Sequence, residues 1–387
     1  GGAQGSDGQV LTSTGSGVGW EDASGGGVTG LTGLVENSSI WLGSDPSSTT
    51  STADYNVALG TTALDAITTA DNNTAVGYAA LTAQTTGSGN VAIGKDAMVT
   101  STTTGSTVAV GYGAGYSMTT ATSNVVIGYN AGYTITTGGR NVIIGYDAGV
   151  KQTTANDNVF IGYQSGEEVT TGNNSIAVGK WALRNVTDGS NNTAIGYGAS
   201  NNITTGTNNV SMGFASQTGT TAASNVSIGY GAGSALTTGA SNTVVGTQTA
   251  DALTTGANNV AIGKGAMGAS TTAINCTAIG DSAMLLATTS DYTVAIGHQA
   301  AGGATLTTNG NVFIGANAGV LATAPLGTVA IGQGCMDSLT EGGYNTAVGA
   351  QSLRTITDAD WNTAIGYNAL GVATGSNNTA IGYNSAE

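Results

Sequence analysis

Hydrophobic and polar positions in this chain follow no helical period. They follow a block of branched residue, small residue, branched residue and glycine, which returns every seventeen residues. The closing glycine recurs from Gly43, Gly60 and Gly77 to Gly366 and Gly382, 21 times, and 17 of the 20 intervals are 17 residues long. The other three intervals, of 16, 18 and 16 residues, are single-residue changes that a turn absorbs. Three residues before the glycine every copy has Val, Ile or Thr, and one before it Val, Ile, Leu or Met. Positions two apart share one face of a strand, so this pair is expected to enter the core as a ladder that includes Ile93, Ile127, Ile144, Ile161, Ile195 and Ile262. The position between them is Ala in 13 copies, with Trp41, Phe160 and Phe313 as the bulky exceptions, and it is expected to form an opposite face that permits close approach.

Two polar columns flank the block. Four residues before the glycine, Asn occurs in 15 copies, among them Asn73, Asn90, Asn124 and Asn141. Asn tolerates left-handed backbone, and stacked copies form amide ladders. Eight residues after the glycine, Thr fills 19 of 20 copies behind a position that is often apolar, as at Ile67, Ile135 and Leu253, which predicts a second short strand. Each repeat then reads as strand, corner at the glycine, small-residue step, second strand and polar turn. The fold class is all-β, a parallel β-solenoid or β-roll of about 21 seventeen-residue repeats. Its coil perimeter is at most roughly 56 Å, at about 3.3 Å per residue. So thin a coil buries few aliphatic side chains, so companion chains are expected, with the Ala face as their contact.

Composition fits this reading. With 64 Gly, 2 Pro and 7% charged residues the surface is neutral and polar, built from Thr, Ser and Asn. The net charge of −15 is spread thinly, and the seven Lys and Arg form no patch, which argues against nucleic acid as a partner. No apolar run approaches the roughly 18 residues of a spanning helix, so membrane insertion is not expected. Gly1 to Leu11 has neither the basic nor the apolar region of a signal peptide, and export is not written in that stretch.

The segments Asn90-Val91-Ala92-Ile93-Gly94 and Asn378-Thr379-Ala380-Ile381-Gly382 resemble the head repeats of trimeric autotransporter adhesins of the YadA type, and the resemblance covers most of the chain. It implies a left-handed parallel β-roll with three chains about one axis. The coils here are slightly longer, and the stalk heptads and membrane anchor of those adhesins are missing from this sequence. Residues Gly5 to Trp20, reading GSDGQVLTSTGSGVGW, are similar to a short module of phage tail-fibre proteins. Residues 1–35 are accordingly expected to be an attachment segment and Gly-rich linker, and 36–387 the solenoid rod. The function implied is a structural and host-recognition fibre, a phage tail-fibre or adhesin shaft on a virion or extracellular surface. Its expected partners are copies of itself as a homotrimer, a host-surface glycan or protein receptor, and other virion or fibre proteins. A self-assembling extracellular filament and a polysaccharide-depolymerising tailspike are the alternatives.

Candidate chemistry is sparse. His298 is the one histidine and has no second His with which to complete a metal site or triad. Cys276 and Cys335 lie three coils apart in different columns, which predicts two separate buried thiols. Asp96, Asp147 and Asp281 fall in non-adjacent coils, and Glu167 and Glu168 are sequence neighbours; solvated turn charges explain them better than a glycosidase pair. The string Gly111 to Gly115 lacks the strand-to-helix context of a phosphate loop. No cofactor, metal or catalytic residue is expected, and the chain is read as no enzyme. Tyr follows the repeat glycine in nine copies, and Tyr112, Tyr129, Tyr146 and Tyr163 in consecutive coils are expected to form a surface aromatic ladder, for packing or for sugar rings. The Thr columns do not make the flat two-column surface of an ice binder.

Overall fold

The computed structural model describes residues 9–13, 18–22, 33–36, 38–43, 52–217, 219, 221–372 and 374–386. The chain divides into two compact units, Gly1–Arg140 and Asn141–Glu387. Each is a parallel β-solenoid. In the first, β1 (Gln9–Ser13) and β2 (Val18–Asp22) form an antiparallel hairpin, and β3 (Gly33–Glu36) runs antiparallel to β4 (Ser39–Leu42). From β4 onward every strand pairs in parallel with the next in sequence, through β5 (Val57–Leu59) to β9 (Val125–Ile127). The second unit continues the pattern from β10 (Val142–Ile144) to β24 (Thr379–Ile381). Most of the expected 1–35 segment, including residues 23–32, lies outside the described residues.

Each regular strand is three residues long, and backbone geometry fixes both of its ends. Five residues before every repeat glycine the chain is left-handed, for example at Asn72, Asn191 and Trp361, each at φ 59°. The sequence suggested this conformation one residue later, at the Asn. That Asn is instead extended into the strand entry, and its side chain turns inward. At the other end the glycine sits near φ +135°, as at Gly94 and Gly229. A Cβ on Gly77 would lie 2.6 Å from the carbonyl oxygen of Gly94 in the next coil, so torsion and stacking both require glycine. Indels leave the strands untouched: Val210 pairs with Val226 across the 16-residue coil, and Val294 with Val312 across the 18-residue coil.

The strand faces are the reverse of the expectation. The middle residue points into the coil: Ala75, Ala92, Ala109 and Ala177 are fully buried, and so are Trp41, Phe160 and Phe313 in the same column. The branched residues on either side point out. Ile93, at 39% exposure, Ile161, Ile195 and Ile262 are exposed, and Ile127 and Ile144 are half-buried. The six isoleucines expected as a core ladder are therefore an outer ladder in the single chain. The reason is volume. The coil interior is already filled by side chains three, four and seven residues after the glycine, such as Ala63, Leu64 and Ile67, and leaves the strand room for one small residue. Where the strand supplies a large one, the far wall retreats: Val126, Ile143, Phe160 and Phe313 are each followed six residues later by a glycine, Gly132, Gly149, Gly166 and Gly319.

The expected second strand is absent among the described residues. After the glycine, the second and fourth residues are left-handed, as at Asp96 (φ 58°) and Met98 (φ 51°), and an extended run cannot form through them. Hydrogen bonds between coils survive without it. The Thr68 N–H donates to the carbonyl of Thr85 at 3.0 Å, and the Thr68 hydroxyl donates to the same oxygen at 2.9 Å. Thr85 and Thr102 repeat the hydroxyl bond one coil on, at 3.0 and 3.1 Å. In the 18-residue coil Thr307, and not Thr305, takes this place and bonds to Thr323.

Candidate interaction surfaces

The Asn column is internal scaffolding. Asn73 is fully buried; its backbone N–H and its Nδ2 donate to the Asn56 Oδ1 at 2.9 and 3.1 Å, and Nδ2 also donates to the Gly87 carbonyl. Asn90 stands on Asn73 in the same way, with both bonds at 3.0 Å. Asn124 takes its N–H bond to the Thr107 hydroxyl at 3.3 Å, and Asn141 accepts from the Asn158 N–H at 3.0 Å. Every polar atom of these amides that faces the interior is engaged within the chain, which satisfies what burial would otherwise penalise.

Two exterior features remain. One is the apolar outer face of the sheet. In the first unit it carries Val57, Leu59 and Ile93, and in the second Ile161, Ile195 and Ile262, one branched pair per coil at the strand spacing. Isolated exposed apolar residues are ordinary, whereas a contiguous strip of them marks an interaction site or an aggregation liability.

The other feature is the aromatic edge. Tyr112 stacks on Tyr129 with centroids 5.1 Å apart and planes 11° from parallel, and Tyr146 on Tyr163 at 5.3 Å and 8°. Beyond Lys180, Tyr197, Phe214 and Tyr230 form a further stack at 5.1 and 5.3 Å. Two lysines of this column cap the rings beside them: Lys95 lies 5.7 and 5.3 Å from Tyr78 and Tyr112, and Lys180 lies 5.4 Å from Tyr163 and 4.3 Å from Trp181. All four tyrosines named from the sequence are exposed at their rims. Offset stacking at this spacing supports the coil edge as well as forming a surface.

The remaining candidates resolve into local pairs. Glu168 accepts from Lys151 at 2.7 Å and Glu167 from Arg184 at 2.5 Å, one coil to each side, so the neighbouring carboxylates belong to separate ion pairs. Asp96 pairs with Lys95 at 3.3 Å, and His298 Nε2 lies 3.8 Å from Asp281 on open surface. Cys276 and Cys335 are both free and buried; burial pushes each thiol up to about 11, which leaves them protonated and unreactive. Cys276 occupies the Asn column, its N–H donating to Asn259 Oδ1 at 2.9 Å and its thiol to the Ser290 carbonyl at 3.1 Å. Among the described residues no three His, Cys, Asp or Glu side chains gather as metal ligands.

No family model and no curated protein matches the chain.

Proposed function

We propose that the chain is the shaft of an attachment fibre on a virion or cell surface, built from several copies that associate through the Val and Ile face. The outward strip of branched residues carries the reading. It recurs once per coil, and the partner that matches such a strip coil for coil is another chain with the same repeat. Three copies about one axis is the stoichiometry implied by the likeness of the Asn90–Gly94 type of segment to trimeric adhesin heads. The interior supports a passive shaft: the coil is filled with Ala, Leu, Ile and amide ladders, and Glu167 and Glu168 pair locally on the surface with Arg184 and Lys151. The shaft holds a recognition surface at a distance from its base. Native mass spectrometry of the full chain tests the association directly. A mass of three chains is expected, and a monomer across the micromolar range overturns the reading.

A further inference from the structure

Along much of the aromatic edge each ring is covered by a neighbouring ring or by a lysine ammonium. One stack ends at Tyr230. One face of Tyr230 rests on Phe214 at 5.3 Å, but the following coil has Thr247 in that column, so no ring stacks on its other side. Exposure follows, 56% for Tyr230 against 45% for Tyr129 within the stack, and 54% for Tyr78, which also lacks a ring on one side. Along the exposed edges of Phe214 and Tyr230 runs a cavity of about 210 Å³, lined also by Gly231, Ser234, Gln248 and Asp251. Gln248 and Asp251 also line a second cavity, of about 390 Å³, whose far side is Lys264, Ser282 and Leu285. The two therefore form one groove that crosses neighbouring coils. Glycines keep it open: a Cβ on Gly231 would meet nothing nearer than Gln248 Cγ at 4.0 Å.

The chemistry of this groove is specific. A flat apolar face stands next to a planar amide, a carboxyl and an ammonium, and Lys264 makes no ion pair among the described residues. Asp251 is partly buried, and desolvation raises its carboxyl above its ordinary value. Such a set matches a pyranose, whose C–H face lies on an aromatic ring while its rim hydroxyls exchange hydrogen bonds with planar polar side chains. A nucleic acid strand could stack a base on Tyr230, but its phosphates would meet a chain of net charge −15 with one lysine at the groove. We infer that the groove from Tyr230 to Lys264 binds an oligosaccharide, with one ring against Tyr230 and the adjoining unit held by Gln248, Asp251 and Lys264. The inference deepens the recognition role proposed above and rests on it.

Titration calorimetry and saturation-transfer NMR on the full chain, with cellotriose, maltotriose, chitotriose and trigalacturonate as probes, test the site. At least one probe is expected to bind with a Kd of about 1 mM or tighter. Tyr230→Ala should weaken that binding by about tenfold or more, Tyr230→Trp should preserve it, and Tyr112→Ala, inside the stack of the other unit, should leave it unchanged. Gln248→Ala, which alters no ring, gives an independent loss. Absence of binding by all four probes overturns the inference, as does unchanged affinity in both Tyr230→Ala and Gln248→Ala. Light scattering on the same samples separates this result from the fibre reading: discrete oligomers that bind no probe keep the shaft and remove the groove, and monomers that bind a probe do the opposite.

Discussion

Phe160 and Gly166 share one space. Phe160 fills the strand column where most coils have alanine, and a Cβ added to Gly166 would stand 2.6 Å from its ring. Two coils are therefore interchangeable in volume but not residue by residue: Ala177 faces Leu183 where Phe160 faces Gly166. Phe160→Ala should destabilise the surrounding coils by about 3–5 kcal/mol through the cavity it leaves. Gly166→Leu alone should also destabilise, by overpacking. The double variant Phe160→Ala/Gly166→Leu should recover most of the loss, because Leu183 already adopts the required left-handed backbone at φ 49°. Hydrogen exchange resolved by coil measures this better than one melting temperature, since solenoids open locally. Additive losses in the double variant would refute the shared volume.

The stacking glycines carry a sharper constraint than ordinary turn glycines. Gly162→Ala combines a φ of +137° with a Cβ 2.6 Å from the Gly179 carbonyl oxygen, and neither can relax without moving the neighbouring coil. A loss of at least about 2 kcal/mol is expected in chemical unfolding followed by circular dichroism. Gly231→Ala, whose Cβ would enter open space, should cost clearly less.

Adjacent residues should give opposite phenotypes on the two faces of one strand. Ala92→Asp places a charge inside the coil and should abolish protection of the flanking coils in hydrogen exchange. Ile93→Asp places the same charge on the outer face; the isolated chain should keep its circular dichroism spectrum, while the oligomer weakens in native mass spectrometry. If Ile93→Asp unfolded the monomer and Ala92→Asp did not, the assignment of faces would be wrong.

How far the fold was legible follows from what repetition can and cannot encode. Seventeen-residue spacing of the glycines specified a parallel stack, and the Asn column marked a ladder, because stacking places identical residues over one another. Which strand face turns inward was not fixed by alternation, since a period of two is symmetric between faces. The deciding signal was present but lies between columns: Val126, Ile143, Phe160 and Phe313 each precede a glycine by six residues, and Ala58, Ala75 and Ala177 precede a leucine. The missing second strand was less accessible. Left-handed positions are occupied by Leu64, Met98, Trp181 and Leu183, residue types that propensity never places there and that only the coil-to-coil hydrogen bonds hold. The end of the stack at Tyr230 was readable in principle as the last aromatic of its run, but not its neighbours Gln248 and Asp251, which the coil brings alongside.

The Asn ladder should respond to loss of either half of its amide. Asn90 donates from Nδ2 to Asn73 Oδ1 and to the Thr104 carbonyl at 2.7 Å, and its Oδ1 accepts from the Thr107 N–H at 3.0 Å. Asn90→Ala strands these buried partners, and at about 1–3 kcal/mol for an unsatisfied group a loss of several kcal/mol is expected in urea unfolding. Asn90→Asp keeps the acceptor but removes the donor and adds a buried charge, so it should be no milder. A surface-like change below about 0.5 kcal/mol would contradict the ladder.

Cys276 and Cys335 give the ladder and the core a pH-dependent element. Both thiols are raised from the usual 9.0 to about 11 in the folded chain. A group whose folded pKa lies above its unfolded one stabilises fully below the unfolded value, and the stabilisation is lost as pH rises toward the folded value. Stability should therefore fall between about pH 9 and pH 11, by on the order of 2 kcal/mol for each thiol at about 1.4 kcal/mol per unit. Tyrosines and lysines titrate in the same range, so the informative quantity is the difference from a variant without thiols. Consensus residues make the natural replacement: Cys335 stands in a column dominated by buried alanine, and Cys276 in the Asn column. An asparagine at 276 would place Nδ2 near the Asn259 Oδ1 and the Ser290 carbonyl, where the thiol now makes its 3.1 Å bond. Cys276→Asn/Cys335→Ala should thus be at least as stable as the parent at pH 7 and lose less stability by pH 11, as read by urea unfolding at both pH values. Parallel losses in the two proteins would show that the thiols titrate as they do in the unfolded chain.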